Sequence, residues 1–367
     1  MCFVRRLTVL CIRCAGCPMK LVEIAKRAKV SVATVSRIIN HVPTVNPSLA
    51  RRVWKVIEEV GCYPNSNARA LSSGRSRIFG LVVSKIINTL FPEIVQTFED
   101  LGFEHGYEIL VSSIAHDSGR LDAVARRMIG WRVDGVAILT FGGEDSLIEI
   151  LGRRNVSAVA VDVESPGPLL KSVRIDYQHG TRQAVQHLAA MGHVRIAFIS
   201  GPAQLKTATA RSVAFQDCMK EIGLPISPTL LVDGDHTMEG GVRAMSALAA
   251  LADRPSAVVC SNDMTAIGVM RKAFELALDI PRDLSVVGFD DIHLARFMIP
   301  PLTTVQMSQI EIATAAFRAL LDLVGIEGSG FSRSVYESRT NLILRSSTAL
   351  APRRLRESTA DEGVRTR

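Results

Sequence analysis

Aromatic side chains are scarce: they make up 5% of the 367 residues, with two tryptophans, Trp54 and Trp131. A stacked indole platform that would point to one particular sugar has little to draw on. Long apolar runs are missing too. None approaches the roughly 18 residues a membrane helix requires, so no membrane partner is expected. Cysteine gives no disulfide framework: Cys2, Cys11, Cys14 and Cys17 crowd the start, while Cys62, Cys218 and Cys260 are scattered. That scatter favours a reducing compartment, and the cytoplasm is the expected location. Catalytic signatures are also absent. There is no Gly-x-Ser-x-Gly elbow, no Gly-x-x-x-x-Gly-Lys phosphate loop and no His-Glu-x-x-His, and the eight histidines are dispersed. We therefore expect no catalytic residues, no cofactor and no metal, hence no enzyme. With 47% hydrophobic and 22% charged residues, the composition is that of a globular protein of two or three domains and excludes collagen-like, coiled-coil and disordered classes.

What is present is unevenly placed. Residues 1–77 hold 14 Lys and Arg against three acids, a balance of +11; the remaining 29 bases and 33 acids leave −4. A basic segment on a mildly acidic body suggests a polyanion-binding head, although a solvated basic face would have the same composition.

Residues 1–18 form an N-terminal extension with three readings. Cys11-x-x-Cys14-x-x-Cys17 resembles part of a metal site, but no fourth ligand follows at a standard spacing. Arg5-Arg6 and Leu7–Ile12 imitate an export signal, yet the apolar stretch is short and Arg13 interrupts it. The reading we favour starts translation at Met19, because a recognisable domain follows at once.

That domain, residues 19–63, reads as three short helices. Leu21, Ile24, Ala25 and Ala28 recur at helical spacing. Ser31 is a natural N-cap for Val32–Ile39, which buries Val35 and Ile38 or Ile39 and exposes Val32, Ala33, Ser36 and Arg37. Asn46-Pro47 opens a third helix that stops at Gly61. Two helices around a tight turn, backed by a third, make a helix-turn-helix whose second helix enters the major groove. Arg37 is suited to guanine O6/N7, and Val32 and Ala33 to thymine methyls. Thr34 and Ser36 are sized for phosphate oxygens. A small helical protein-binding module would share the pattern.

The wording of the segment resembles the lactose-repressor family of bacterial transcription regulators. The likeness lies in Val22-Glu23-Ile24-Ala25, in Val30-Ser31-Val32-Ala33-Thr34-Val35-Ser36-Arg37-Ile38-Ile39-Asn40 and in Gly61-Cys62-Tyr63-Pro64-Asn65 followed by Ala68-Arg69-Ala70-Leu71. It implies that Ser31, Val32, Ala33, Thr34, Ser36, Arg37, Asn40, Asn65, Ala68, Arg69 and Leu71 meet double-stranded operator DNA. Residues 64–77 become a hinge. Asn65 can cap a helix over about 66–72, too short to be stable alone in water, so it is expected to fold only when paired on DNA. The resemblance implies that Leu71 enters the minor groove as an apolar wedge.

From 78 to 350, short apolar runs alternate with amphipathic stretches. Strands are expected at Ile78–Val83, Tyr107–Val111, Gly135–Leu139, Ala158–Val163, Arg195–Ser200, Leu230–Val232, Ala257–Cys260 and Ser285–Phe289. Helix-period segments lie between them, for example Pro92–His105, Gly180–Met191, Arg211–Ile222 and Met264–Leu276. The alternation indicates doubly wound parallel sheets, and the length suits two. The resemblance continues through Asp176-Tyr177-x-x-Gly180, Ser261-Asn262-Asp263, Val286-Val287-Gly288-Phe289-Asp290-Asp291 and Pro300-Pro301-Leu302-Thr303-Thr304-Val305. It implies a periplasmic-binding-protein-like α/β body of two doubly wound subdomains, about 78–174 plus 308–336 and 175–305 plus 337–350, with an effector between them.

Ligands of open α/β sheets bind beyond strand carboxyl ends, where Asp162, Asn262 and Asp290 fall, and Arg211 opens the following helix. By resemblance, Asp162, Arg211, Asn262 and Asp290 touch the effector, with Asn88, Leu90 and Phe91 on the opposite wall. Asp263 and Asp291 read instead as structural. Tyr177, Ala214 and Met307 depart from the family's pattern; the departures concern the effector, not the fold. The whole is expected to be a dimeric regulator, a repressor first, controlled by a sugar-like small molecule. The alternatives are an exported sugar receptor and a sugar-modifying enzyme with a DNA-binding head. The tail 351–367 carries five arginines and no leucine heptad, and is expected to be disordered.

Overall fold

A computed structural model describes residues 21–39, 45–60, 75–114, 118–142, 144–325 and 335–352. Asn40, Asn65, Ala68, Arg69 and Leu71, most of the hinge 64–77 and the tail beyond 352 lie outside the described residues.

The head is three helices, α1 (Leu21–Arg27), α2 (Val32–Ile39) and α3 (Pro47–Val60). Their shared core is the predicted one: Ile24, Ala25, Ala28, Val35, Ile38, Ile39, Val53, Val56 and Ile57 are all buried, and Trp54 packs against them. Ser31 Oγ accepts the Thr34 N–H at 3.0 Å and Asn46 Oδ1 that of Ser48 at 2.9 Å, so both later helices are capped as their sequences require. Lys29 turns the chain between α1 and α2 with φ of 51°.

The body is built on two six-stranded sheets. The first has the order β2 (Glu108–Ser113), β1 (Ile78–Val83), β3 (Gly135–Leu139), β4 (Ser157–Val161), β5 (Leu170–Asp176) and β11 (Val335–Arg339), every pair parallel. The second runs β7 (Leu231–Val232), β6 (Ile196–Ile199), β8 (Ala257–Cys260), β9 (Ser285–Asp290), β10 (Thr303–Gln306) and β12 (Asn341–Ile343). Its edge strand β12 pairs antiparallel with β10. Buried parallel strands need apolar residues on both faces, and β1 shows why its run is continuous. Phe79, Leu81 and Val83 enter one core while Ile78 and Val82 enter the other.

Helices α4 (Phe91–His105), α5 (Ser118–Gly130), α6 (Asp145–Arg153) and α11 (Gln309–Leu323) serve the first sheet. Helices α7 (Tyr177–Ala190), α8 (Lys206–Glu221), α9 (Met238–Ala249) and α10 (Asp263–Glu275) serve the second. The chain crosses between sheets after β5, after β10 and after β11. Because β5 runs to Asp176 and β11 to Arg339, the first and last crossovers fall slightly beyond 174/175 and 336/337.

Four strands had no apolar run to announce them. In β5, Lys171, Ser172, Arg174 and Asp176 interrupt the pattern, and Lys171 pairs with Asp322 of α11. In β10 two of the three buried residues are threonines: Thr304 donates to Asp263 and Thr303 accepts from the Arg345 N–H. In β11 the one buried residue is Ser338, and β12 is only three residues long. One expectation is corrected: Arg211 does not open its helix. α8 begins at Lys206, with Leu205 at the cap position making no side-chain cap, so no N-cap residue marked the start and Arg211 lies in the second turn.

Helices α9 and α10 meet through glycine. A Cβ on Gly241 would collide with the Thr265 carbonyl, and one on Gly268 with that of Met238. Gly241→Ala is expected to destabilise the body by about 1–3 kcal/mol through overpacking. Gly130→Ala, at an open helical position, is expected to change stability by at most about 1 kcal/mol, in the favourable direction. Urea denaturation of the two variants checks this; equal midpoints would refute the close contact.

Candidate DNA-reading face and effector cleft

The second helix of the head has one exposed and one buried side. Val32, Ala33 and Arg37 are exposed along α2, with Ser31 at its start, while Val35, Ile38 and Ile39 anchor the other side. Thr34 and Ser36 are half-buried, and the Thr34 hydroxyl lies 2.8 Å from that of Ser31. Lys26, Lys29, Arg51, Arg52 and Lys55 add exposed positive charge. The six described residues predicted to meet DNA thus lie on one short helix and its cap.

In the body, all parallel strands of each sheet end on one edge, and the two edges face each other. From the first sheet come Phe141 after β3, Asp162 after β4 and Tyr177 after β5; from the second come Thr207 after β6, Ser261 and Asn262 after β8, Asp290 at the end of β9 and Met307 after β10. The two edges touch: the Thr207 hydroxyl donates to the Phe141 carbonyl at 2.6 Å, Lys206 Nζ lies 3.3 Å from Asp145, and Thr89 Oγ1 lies 3.5 Å from Met264 Sδ. Several non-glycine residues here carry left-handed φ, namely Phe141 (61°), Asp162 (52°), His236 (60°), Asp290 (109°) and Asp291 (55°). Such backbone strain persists where surrounding structure over-determines it, often at binding sites.

Arg211 and Asp290 form the buried centre, with Arg211 Nη2 3.1 Å from Asp290 Oδ1 and side chains only 5% and 4% exposed. Arg211 also donates to the Ser261 carbonyl through Nη1 and lies 3.8 Å from Met307 Sδ through Nη2. Its guanidinium carbon sits 4.0 Å from the Phe289 ring centre and 5.5 Å from that of Tyr177. Neither Arg211 Nε nor Asp290 Oδ1 has a well-aligned hydrogen bond. Burial outweighs the neighbouring guanidinium and raises the Asp290 carboxyl to about 6. Asp162 is also raised, chiefly by burial, although it accepts the Ile175 N–H at 2.9 Å and the Tyr177 hydroxyl at 2.7 Å.

The other predicted residues have more local partners. Asn262 caps α10, its Oδ1 accepting from both the N–H and hydroxyl of Thr265, while Nδ2 donates to the His236 carbonyl. Asn88 Oδ1 accepts the Leu90 N–H and closes the loop before α4. Leu90 and Phe91 are buried, Phe91 packing 5.9 Å from Phe141. Asp263 accepts from Thr304 and the Ile292 N–H, and Asp291 from Gln306 and Arg345, which makes both structural. Phe141, Thr207 and Phe289 reach the cleft without having been singled out; the strand-end rule would have found Phe141, just after β3, and Phe289, at the end of β9, but not Thr207, which lies in the first turn of α8.

Two family models match the chain: bacterial regulatory proteins of the lacI family over residues 20–65, and a periplasmic binding protein-like domain over 185–348. Catabolite control protein A of Priestia megaterium is 32% identical over 300 residues, covering 81% of this chain and 90% of the relative. The transcriptional repressor CytR of Escherichia coli K12 is 32% identical over 334 residues, covering 90% and 96%. The lac repressor dimer bound to operator and the anti-inducer ONPF superposes with a TM-score of 0.78 at 26% identity, covering 91% of this chain and all of that one. The regulator CelR in complex with cellobiose gives 0.68 at 28%, covering 90% and 99%. The chain belongs to the lacI family of bacterial regulatory proteins. It is a DNA-binding transcriptional regulator with a helix-turn-helix head and an effector-type body.

The Asp290 shift has a sign that can be checked. Folded Asp290 holds its proton to about pH 6, against 3.8 for the ordinary carboxyl. Between these values the folded chain binds more protons, so this residue's contribution to stability falls as pH rises from about 4 to about 6 and is flat above. Asp290→Asn should lack that limb. Denaturation at a series of pH values is expected to show the variant gaining on the wild type by on the order of 2–3 kcal/mol across the window; parallel curves would contradict the burial argument.

Proposed function

We propose that this chain is a cytoplasmic, dimeric repressor that binds a pseudo-palindromic operator and is released or engaged by a small, sugar-like effector in the cleft between the subdomains. The observation that carries the reading is the exposed row Val32, Ala33 and Arg37 on a capped helix of a basic head, joined to a body whose strand ends converge on the Arg211–Asp290 pair. A two-fold protein reads a two-fold site, with one head per half-site. Phe274, Phe297 and Ile299, exposed by 76%, 65% and 94%, form an apolar surface on the second subdomain that suits a second copy. The body senses its ligand and does not transform it, in keeping with the regulators it is related to.

Effector binding acts through the relative placement of the subdomains and hence of the paired hinges. A coupling of about 1–3 kcal/mol alters operator affinity roughly 5–150-fold. By family resemblance, Leu71 wedges the operator centre and Asn65, Ala68 and Arg69 line the hinge helix. Asn88, Leu90, Phe91, Asp162 and Asn262 shape the effector's surroundings.

The test is selection of binding sites from a random duplex pool by protein expressed from Met19, with Leu71→Ala and Arg37→Ala beside it. The expected result is a palindrome with the C-G centre that the family resemblance implies, much weakened for Leu71→Ala. Arg37→Ala should lose about 1–3 kcal/mol and relax the preference at one base pair of each half-site. No enriched sequence, with or without cell-extract metabolites, would overturn the reading.

A further inference from the structure

The cleft already contains a ligand of its own making. Asp162 closes one wall of a cavity of about 260 Å³ whose lining comes from both subdomains, with Gly142, Glu144 and Val161 on one side and Lys206 and Thr207 on the other. Tyr177 lines a second cavity, of about 510 Å³, together with Ile175, Ala210 and Ala214. The 2.7 Å hydrogen bond from the Tyr177 hydroxyl to Asp162 Oδ2 joins one wall of each. With the Ile175 N–H on Oδ1, that bond gives each carboxylate oxygen of Asp162 a donor from this chain. Tyr177 is buried, with Phe289 at 6.2 Å between ring centres and the Arg211 guanidinium against its face. Nearby, the buried Arg211 Nε–H has no acceptor.

We propose that Tyr177 is an internal competitor for the effector: its hydroxyl takes the place on Asp162 that a ligand hydroxyl would take, so that binding is an exchange in which the ring must withdraw. The inference rests on the effector reading above and deepens it by naming what the ligand must offer. One hydroxyl or N–H must donate to Asp162 Oδ2, and one oxygen or nitrogen must accept from Arg211 Nε, both on a compact polyol-like frame. Exchange of one buried charge-assisted hydrogen bond for another contributes little net energy. The chain thereby rejects ligands that supply the hydroxyl alone and keeps those that also satisfy the arginine. The Asp162 carboxyl, held above the ordinary carboxylate range mainly by burial, is consistent with a site whose charge awaits a stronger donor set.

The test compares wild type, Tyr177→Phe and the Tyr177→Phe/Asp162→Asn double variant by calorimetric titration with D-ribose, D-glucose, D-galactose and cellobiose. Tyr177→Phe keeps the ring and frees the carboxylate. It is expected to bind at least one of these probes about tenfold or more tightly than wild type, and the double variant is expected to lose that gain. Melting temperatures establish that all three proteins are folded. Equal dissociation constants in wild type and Tyr177→Phe would overturn the proposal. So would the absence of binding to a folded Tyr177→Phe, since a vacated carboxylate would then have no use for a hydroxyl. Operator selection, run separately, keeps the two readings apart: a selected palindrome with unchanged sugar binding removes the competitor role alone.

Discussion

A buried guanidinium facing a buried carboxylate sets the terms for the rest of the body. Removing two charges from water costs several kcal/mol per ion unless geometry and further hydrogen bonds compensate. Arg211 and Asp290 meet that demand with the Ser261 carbonyl, the face of Phe289, the ring of Tyr177 and the Met307 sulfur. Those partners come from β8, β9, the start of α7 and the end of β10, so four elements must finish at one level for the pair to exist. The parallel sheet supplies that alignment. Burial still raises the Asp290 carboxyl to about 6, so the compensation is partial.

The head depends on none of this. Its core is nine small and branched apolar residues, closed by two side-chain caps. Basic charge is concentrated there and the body is slightly acidic, so long-range attraction to DNA belongs to the head while the body contributes position and control. Regulation then needs only a mechanical link between the two.

Much of this architecture is legible in the chain. β1, β3 and β8 lie where continuous apolar runs place them, and Ser31, Asn46 and Asn262 cap the helices that follow them. The strands that escaped notice are those too short or too interrupted by polar residues to form an apolar run. Thr303 and Thr304 fill β10 because hydroxyl partners await them, and β5 carries a lysine that Asp322 neutralises. No single-strand pattern reveals such partners, because they lie far away in sequence. The cleft was partly legible for the same reason. Strand-end position picks out Asp162 and Asp290, but only the fold shows that Tyr177 bonds to the first while Arg211 pairs with the second. Arg211 itself was placed one turn wrongly, since α8 starts without a cap to mark it.

The central claim is that one chain joins an independent DNA-reading head to a cleft that controls it through Arg211 and Asp290. Operator binding by wild type and Arg211→Ala, each titrated with cell-extract metabolites, addresses it directly. The account predicts that extract shifts the wild-type affinity by about fivefold or more, in either direction, and that Arg211→Ala, with the same affinity as the wild type in the absence of extract, does not respond. An equal response from the variant would contradict it, because the effector would then act somewhere other than this cleft.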